Sequence, residues 1–438
     1  MSKLDELIAK LCPEGVIYKR FDEACTLHAR IGWQRLTKAE YKTSGDYMLI
    51  TGTDFTPLNE VNYKSCVYVS KDRYIQDSKI QIKDGDVLIT KDGTLGKVAQ
   101  VNGLPMPATL NGGVFVVRPK DASLLPRYIM YFLLSGHFQK AVEQQKTGST
   151  ISHLTQALFY KLLLPVPPLE VQREIVHILD SFTLLTAELT AELTARKKQY
   201  EFYRDKLLTS NRNIKTVKLG DVCTFVRGPF GGALKKEIFT TEGYAVYEQQ
   251  HAIYRNLDFK YYIDKNKFSE LKRFAVNPGD MIVSCSGTIG RTFVIPKNAP
   301  EGVINQALLK LTPNEELNVF YLQYFFENTI SKVLNGVARG GAIKNVPSVS
   351  ELKLIELPLP SLTVQKKLVN VLDNFESICT DLNIGLPAEI EARQKQYEYY
   401  RDLLLTFAET SSTVLTDRQT DRQTDRQTDR QTDRVECN

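Results

Sequence analysis

The chain has 438 residues, 42% of them hydrophobic and 24% charged, which is an ordinary composition for a globular protein of two or three domains. The formal net charge is only +5, so a nucleic-acid surface would have to be a local basic patch. The seven cysteines are scattered, with neither a CxxC pair nor metal-ligand spacing. This pattern argues against a disulfide framework and against a zinc site.

The N-terminus, MSKLDELIAKLCPEG, carries acidic residues and lysines throughout and lacks the apolar region of a signal peptide. The longest apolar run, at residues 128–134, is far too short to cross a bilayer. We therefore expect a soluble, cytoplasmic protein without a membrane partner.

Residues 1–165 are predicted to form a first α/β domain. A GD turn precedes a short apolar strand at Val87–Thr90, and a turn of small residues, Asp92–Gly96, follows it. The elements expected after this turn are a second strand, a loop with Asn111, a strand at Val114–Arg118 and a helix around Tyr128–Gln144.

Basic and aromatic residues alternate in HARIGWQRLTKAEYKTSG, which begins at His28 and suits contacts with phosphates and bases. A basic loop of small residues, KTGSTISH, follows the predicted helix. Each patch alone is also typical of a solvated surface. The residues of this domain predicted to bind DNA are Arg30, Trp33, Arg35, Lys38, Tyr41, Lys91, Thr94, Lys97 and Lys146.

Residues 166–210 are predicted to form a long helix, which prolines separate from the domain before it. Apolar residues repeat with the 4-3-4-3-4 spacing of a coiled coil. They are Val171, Ile175, Ile178, Phe182, Leu185 and Leu189, and the pattern resumes at Tyr200, Tyr203 and Leu207.

The sequence TAEL occurs twice within this helix, from Thr186 to Leu193. Around it the apolar spacing becomes 4-4-3-4, so one copy is equivalent to a four-residue insertion into a heptad pattern. One TAEL adds about 6 Å and a net rotation of about 40°, whereas a base pair adds about 3.4 Å and about 34–36°. We interpret Thr186, Leu189, Thr190 and Leu193 as a spacer, and the alternative is a helix-favouring run without such a role.

The chain then repeats itself about 195 residues further on. LPVPPLEVQREIVHILDSF, from Leu164, returns as LPLPSLTVQKKLVNVLDNF, from Leu357. RKKQYEFYRDKLLT, from Arg196, returns as RQKQYEYYRDLLLT, from Arg393. The chain is therefore two copies of one module, with a second domain at 211–358 and a distal helix at 359–410. Two independent surface helices remain the alternative to an antiparallel helix pair.

The second domain repeats the same order of elements, with a strand at Met281–Ser284, a turn at Ser286–Gly290 and a loop with Asn305. Its basic and amide-bearing stretches are VRGPFGGALKKE, EQQHAIYRN and ARGGAIKN. Gln and Asn suit adenine and Arg suits guanine in the major groove. The residues predicted to bind DNA are Arg227, Phe230, Lys235, Lys236, Gln249, Gln250, Arg255, Ser286, Arg291, Arg339 and Lys344.

Catalytic signatures are missing from the sequence. GTLGK, at Gly93–Lys97, is too short for a P-loop and lacks its Ser/Thr. The Asn- or Asp-Pro-Pro-aromatic motif of an adenine methyltransferase is absent, and so are HExxH and GxSxG. We predict a protein without an enzyme activity, a metal or a cofactor.

Two features of the C-terminal part have no counterpart in the first copy. Gly385 and Pro387 interrupt the distal helix, where we expect a kink or break. The tail at 411–438 repeats TDRQ, is polar on every face and is predicted to be disordered. The codons ACA-GAC-AGA-CAG would encode this repeat as a pure ACAG run. We hypothesise that slippage there varies the C-terminus; mixed synonymous codons would exclude it.

The duplicated module, GWQRLT, the PxP-x-x-x-VQ entry to each helix, QYEFYRD and QYEYYRD, and the TAEL repeat together resemble the specificity subunit of a type I restriction–modification system. The resemblance covers residue 18 to about residue 405. It implies an α/β (α+β) tandem pseudo-repeat in which two long antiparallel coiled-coil helices separate two globular target-recognition domains.

The resemblance also implies partners. Each domain would recognise half of a split, asymmetric site in double-stranded DNA, while the helices dock methyltransferase subunits and restriction subunits join the complex. Helix residues expected to dock are Glu201, Arg204, Glu398 and Arg401. Two other classes stay open: a stand-alone or fused DNA-modification enzyme fragment, and a coiled-coil scaffold that does not bind DNA.

Overall fold

The computed structural model describes residues 2–32, 36–146, 153–209, 214–230, 232–286, 288–337 and 347–408, with side chains omitted at 145–146 and 331–337. The predicted disordered tail, 411–438, lies outside these residues. The chain divides into two compact units, Met1–Ala191 with Glu389–Asn438, and Glu192–Ala388. Each unit holds one α/β domain together with segments of the long helices.

Unit 1 contains ten strands among the described residues. They are β1 (Ile17–Arg20), β2 (Cys25–Ala29), β3 (Met48–Ile50), β4 (Val67–Tyr68), β5 (Gln81–Ile82), β6 (Val87–Thr90), β7 (Val98–Gln100), β8 (Ala108–Leu110), β9 (Val114–Pro119) and β10 (Leu163–Val166). Its helices are α1 (Lys3–Leu11), α2 (Phe21–Ala24), α3 (Lys71–Ile75), α4 (Pro126–Leu134), α5 (Gly136–Lys146), α6 (Gln156–Tyr160) and the first part of α7 (Leu169–Leu208).

A four-stranded antiparallel sheet, β2-β9-β6-β7, forms the centre of this domain. Side chains alternate between its faces, as the pleat requires. Val87 and Ile89 pack against the helices, whereas Leu88 and Val116 pack against a second sheet, β4-β3-β8-β5. Because both faces are covered, β6 is buried throughout, and it matches the predicted strand Val87–Thr90.

Unit 2 repeats this plan. Its strands are β11 (Thr216–Lys218), β12 (Cys223–Arg227), β13 (Tyr244–Tyr247), β14 (Tyr262–Ile263), β15 (Met281–Ser284), β16 (Thr292–Val294), β17 (Gly302–Ile304), β18 (Leu308–Pro313) and β19 (Glu356–Pro358). Its helices are α8 (Leu219–Val222), α9 (Gln249–Tyr254), α10 (Lys265–Glu270), α11 (Val319–Val337), α12 (Val349–Lys353) and α13 (Leu362–Thr380), followed by α14 (Leu386–Leu404), which continues into unit 1. The sheet β12-β18-β15-β16 has the same connectivity as β2-β9-β6-β7.

The same contacts join each domain to the strand that precedes its long helix. Tyr128 donates to the carbonyl of Pro165, and Tyr321 donates to the carbonyl of Pro358. Strands β1 and β10 form an antiparallel pair, as do β11 and β19. The tandem pseudo-repeat inferred from the sequence is therefore also a repeat of structure.

The helix predicted around residues 128–144 is two helices, α4 and α5, separated at Ser135. The Ser135 hydroxyl donates to the carbonyl of Phe132 and accepts from the amide of Phe138, so it replaces main-chain bonds at the break. The counterpart in unit 2, α11, is continuous.

Within unit 2, α7 and α13 pack as an antiparallel pair. The ring of Tyr203 lies 6.2 Å from that of Phe375, and Lys197 lies near Cys379. Within unit 1, the rings of Phe182 in α7 and Tyr400 in α14 are stacked at 5.6 Å. The long helices therefore contact each other through aromatic side chains of the predicted heptad pattern.

The heptad prediction is only partly correct for α13, where Phe375 contacts Tyr203 of α7. Val364, Val371 and Ile378 are exposed, while the buried residues are one position further along the helix. These are Gln365, Val369, Leu372 and Cys379. The offset arises because α13 turns this second face towards the core of its own domain, where Val369 and Leu372 pack with Tyr321.

The predicted interruption of the distal helix is confirmed. Helix α13 ends at Thr380 and α14 begins at Leu386. Amides of Asn383 and Ile384 donate to the Asp381 carboxylate in the connecting turn. A Cβ at Gly385 would lie 2.5 Å from the carbonyl oxygen of Ser377, so only glycine fits this turn.

Candidate nucleic-acid interface

The first domain contains an open cleft of about 680 Å³, which we call the first-domain cleft. It lies where the loops after β2, β3, β6 and β8 meet. Its lining is rich in cations, hydroxyls and glycines. The lining residues are Arg30, Ile31, Gly32, Leu36, Lys38, Tyr41, Thr51, Gly52, Thr53, Thr90, Lys91, Asp92, Gly93, Thr94, Lys97, Asn111, Gly112, Gly113 and His153.

The turn after β6 is held from inside by Thr90. Its hydroxyl donates to the carbonyl of Thr94 and accepts from the amide of Lys97 at 2.9 Å. Gly93 and Gly96 have φ values of 73° and 78°, which favour glycine. The turn therefore holds the lysines at its two ends, Lys91 and Lys97, in the lining of the cleft.

The cleft carries an excess of positive charge among its described residues. Lys38, Lys91 and Lys97 line it, and Lys91 also lies 5.4 Å from the ring centroid of Phe115. The acidic side chain in this lining, Asp92, bonds His153 at 2.5 Å. Lysines around a concave surface with open glycine backbone suit the phosphates of a nucleic acid.

Tyr41 and Asn111 form a fixed polar pair in this cleft. The amide of Gly113 donates to Asn111 Oδ1 at 2.7 Å, and Asn111 Nδ2 donates to the Tyr41 hydroxyl at 2.6 Å. The ring of Tyr41 packs with Leu36 and Leu49. The hydroxyl is therefore held at one place in the lining.

The structure brings six of the predicted DNA-binding residues of this domain to the one cleft. Three of them lie at residues 30–41 and three at residues 91–97, about fifty residues further along the chain, so proximity in the sequence does not explain why they meet. They are Arg30, Lys38, Tyr41, Lys91, Thr94 and Lys97. Trp33 and Arg35, and the side chain of Lys146, lie outside the described residues.

Arg30 is placed differently from the lysines, because only 3% of it is exposed. Its guanidinium donates to the carbonyl of Leu110 at 2.9 Å, to Gln76 at 3.0 Å and to the Thr109 hydroxyl at 3.1 Å. Burial lowers the pKa of this guanidinium, and neighbouring Arg73 lowers it further. Arg30 thus joins the end of β2 to β8 and α3, and a contact with DNA stays a prediction.

Sequence reasoning did not select Asn111, Thr51, Thr53 and His153, although all four line the cleft. Asn111 did stand out as the residue that each domain repeats in the loop before its third strand. The threonines carried no such signal.

In the second domain the turn has the same internal bonds. Ser284 donates to the carbonyl of Thr288 at 2.6 Å and accepts from the amide of Arg291 at 3.0 Å. Asn305 Oδ1 accepts from the amide of Ala307, as Asn111 accepts from Gly113. The scaffold of the cleft is therefore repeated while its side chains differ.

The predicted residues of the second domain are spread more widely. Phe230 is 95% exposed, and Arg227 ends β12. Gln249 bonds Ser286, so two predicted residues contact each other there. Lys235 and Lys236 lie at a short helical turn, and Gln250 lies in α9. Arg339 and Lys344 lie outside the described residues.

Arg255 and Arg291 line a second cavity of about 450 Å³ together with Arg204, a predicted docking residue. Arg255 donates to both carboxylate oxygens of Glu327, at 3.0 and 3.1 Å. Arg204 lies 5.2 Å from the ring centroid of Tyr200. The structure thus groups residues that the sequence assigned to two different roles.

The predicted docking residues have corresponding environments in the two copies of the helix. Glu201 and Glu398 are exposed. Arg401 lies over the ring of Tyr397 at 5.5 Å, as Arg204 lies over Tyr200, and it also bonds Asp402. The aromatic residues between them, which sequence reasoning did not select, are similarly exposed: Phe202 at 61% and Tyr399 at 64%.

The described cysteines are buried thiols, and burial raises the pKa of Cys25, Cys66 and Cys223 to about 12 and that of Cys285 to about 11. Such thiols stay protonated near neutral pH and are poor nucleophiles. Within the described residues, no group of three or more His, Cys, Asp or Glu side chains is arranged to hold a metal ion. None of the helices in the described part of the chain combines the length and apolar character needed to span a membrane.

Comparison with known proteins agrees with this architecture. The family model for the type I restriction modification DNA specificity domain matches twice, at residues 14–196 and 211–392. A putative type I restriction enzyme specificity subunit of Haemophilus influenzae is 35% identical over 312 residues, which cover 68% of this chain and 76% of that protein. The EcoR124I/EcoR124II specificity subunit of Escherichia coli is 31% identical over 305 residues, 66% of this chain and 72% of that one.

Solved structures share the fold at low sequence identity. A chain from a study of complex assembly and conformational transition of the type I restriction–modification system superposes with a TM-score of 0.62 at 17% identity, covering 90% of this chain and 98% of that one. The HsdS subunit of Thermoanaerobacter tengcongensis gives a TM-score of 0.51 at 17% identity, covering 90% and 96%. The two family matches together span most of the sequence, and the chain belongs to the type I restriction–modification DNA specificity family.

Proposed function

We propose that this chain is the DNA-binding specificity subunit of a type I restriction–modification complex. Residues 1–165 and 211–358 each contact one half of a split, asymmetric site in double-stranded DNA. The observation that carries this proposal is the first-domain cleft, which gathers Lys38, Lys91 and Lys97 on a scaffold that the second domain repeats.

Two different surfaces on one repeated scaffold suit the recognition of two different half-sites. Lys91 and Asp92 occupy the positions that Cys285 and Ser286 occupy in the second domain. The turn bonds of Thr90 and Ser284 are nevertheless the same. Phosphate contacts fix the position of a protein on DNA, and contacts with base edges distinguish sequences. A constant scaffold with different lining residues would let both domains hold DNA in the same way while each distinguishes its own bases.

The proposal assigns catalysis to partner subunits. Burial keeps the described cysteines as thiols, and the sequence lacks the motif that an adenine methyltransferase uses. Methyltransferase subunits would dock on the long helices and restriction subunits would join the complex, in the cytoplasm. The exposed pair Phe202 and Tyr399 supports docking at two matched places, since exposed aromatic residues are common anchors of interfaces.

A binding experiment tests the DNA interface. Lys91→Ala and Lys97→Ala, measured in the complex with the methyltransferase subunit, are expected to weaken binding about equally for all DNA sequences. Each should also reduce the slope of log K against log salt by about 1, because one phosphate contact is lost. Lys10→Ala, which removes an exposed lysine of α1, is the matched control. Cleft variants that behave like the control contradict the proposed interface.

A gel-shift with and without the methyltransferase subunit separates the alternative classes. The specificity subunit is expected to shift specific DNA in the complex and to modify none by itself. A scaffold would give no shift in either lane, and an enzyme fragment would modify DNA without the partner.

A further inference from the structure

We propose that the Tyr41 hydroxyl is a hydrogen-bond donor of fixed polarity, which recognises an acceptor on a base edge in the first half-site. This inference rests on the proposed function and adds the chemistry of one contact. It follows from the pair of bonds that Asn111 makes in the first-domain cleft.

The main chain sets the orientation of the Asn111 amide. A backbone N–H can only donate, so the Asn111 atom 2.7 Å from the amide of Gly113 must be the oxygen. The other atom is then the nitrogen, which can only donate. At 2.6 Å from Nδ2, the Tyr41 oxygen must therefore accept.

A phenolic hydroxyl that accepts through its oxygen still has its own hydrogen to donate. Tyr41 lines the cleft, and its ring is held by packing with Leu36, Leu49 and Val69. Because Asn111 Nδ2 occupies one acceptor position of the oxygen, the hydroxyl hydrogen must point away from Asn111. It therefore offers a donor to whatever occupies the cleft.

Base edges differ in their response to a fixed donor. In the major groove, guanine presents N7 and O6, adenine N7 and thymine O4 as acceptors, whereas the amino groups of adenine and cytosine are donors. Tyr41 should favour an acceptor and disfavour an amino group at one position. The hydroxyl should therefore affect which base is preferred at one position, and not the overall affinity for DNA.

The second domain offers an internal comparison. Phe239 occupies the place of Tyr41: each ends a short helical turn, with its amide bonded to the carbonyl of Lys236 or Lys38. Asn305 keeps the bond that corresponds to the one from Gly113, but Phe239 has no hydroxyl for its amide. The equivalent place in the second domain therefore lacks this hydroxyl donor, and we expect its effect only at the first half-site.

The test measures binding of the complex with the methyltransferase subunit to duplexes in which each position of both half-sites is changed in turn. In Tyr41→Phe, discrimination at one position of the first half-site should fall by about 3- to 10-fold, as for loss of one hydrogen bond. The second half-site should be unchanged. Tyr63→Phe, which removes a hydroxyl bonded to Asn102 outside the cleft, is the matched control.

Asn111→Asp makes the sharper prediction. The carboxylate still accepts from Gly113, but it now accepts the Tyr41 hydrogen as well, so the tyrosine presents lone pairs to the cleft. The preference at the same position should move from a base that accepts to one that donates through an amino group.

Thermal unfolding establishes that both variants fold. Tyr41→Phe keeps the packed ring, so it decides the question even where Asn111→Asp does not fold. Discrimination by Tyr41→Phe equal to the parent's at every position overturns the inference, and so does a folded Asn111→Asp with the parent's preference. Failure of the parent complex to distinguish any sequence would instead overturn the proposed function.

Discussion

A buried glutamine at the start of each long helix joins that helix to its own domain. Gln172 accepts from the amide of Leu125 at 2.9 Å and donates to the carbonyls of Ser123 and Pro167 at 2.8 and 2.7 Å. Gln365 makes the equivalent three bonds with Asn318, Glu316 and Pro360. The VQ pair in both helix entries is explained by these bonds, because a shorter amide could not reach all three groups.

Replacing this glutamine should destabilise the protein. Gln172→Ala leaves a buried amide and two carbonyls without their partner, so we expect a loss of about 2–4 kcal/mol in the free energy of unfolding. Gln365→Ala should cost a similar amount. Gln394→Ala, which removes an exposed glutamine of α14, should change stability by less than about 0.5 kcal/mol. Denaturant unfolding measures all three, and a Gln172→Ala protein as stable as the Gln394→Ala control contradicts this explanation.

Residue types indicated which side chains of the first domain would lie together, but not how each of them is oriented. Lys38 and Tyr41 of the basic, aromatic segment were assigned to DNA binding, and the structure brings both to one cleft with Lys91 from the turn after β6. Arg30 belongs to the same segment but is buried against Leu110, since composition does not say towards which side a side chain points. The polarity of the Asn111 amide depends on a main-chain donor and has no sequence signal.

At the level of elements, strands were predicted well where burial on both faces gives a run of three apolar residues. The predicted strands Val87–Thr90 and Met281–Ser284 have the bounds that the structure gives them. In α13 the pattern did not predict burial of Gln365, because its amide is polar; main-chain groups satisfy that amide. A buried polar residue looks like a surface residue in a hydrophobicity pattern.

The exposed aromatic residues of α7 and α14 are expected to anchor the methyltransferase subunits. Phe202→Ala and Tyr399→Ala should each weaken assembly by about 1–2 kcal/mol, or roughly 5- to 30-fold, while the helices stay folded. Phe230→Ala removes an exposed phenylalanine outside the helices and serves as the control. Titration of the purified chain with the methyltransferase subunit measures the effect. Unchanged affinity in both helix variants would place docking elsewhere.

The TAEL repeat should set the distance between the half-sites. Helix α7 is continuous from Leu169 to Leu208 and so includes both copies. One copy adds about 6 Å and 40° of rotation, close to one base pair in rotation and a few ångströms longer. Deleting one TAEL should therefore shorten the unrecognised spacer by one base pair and leave both half-sites unaltered. Methylome mapping of the variant decides this, and an unchanged spacer or altered half-site bases would contradict it.

At the scale of the whole molecule, duplication has preserved contacts and changed surfaces. Three features recur with the same bonds: the helix entries, the turns after β6 and β15, and the paired strands β1-β10 and β11-β19. The side chains on these turns differ in charge, since Lys91 and Asp92 of the first domain correspond to Cys285 and Ser286 of the second. One scaffold used twice with two linings is the basis for assigning one half-site to each domain.

Exchange of one domain tests this assignment most directly. Residues 21–162 lie between β1 and β10, so the corresponding segment of the Haemophilus influenzae relative can replace them while the strand pair is kept. The chimaera and the parent are each expressed with the methyltransferase subunit in a host without this system, and their methylomes are mapped. We predict that one half of the methylated site changes while the other half and the spacer stay the same. A change in both halves, or in neither, would contradict the account.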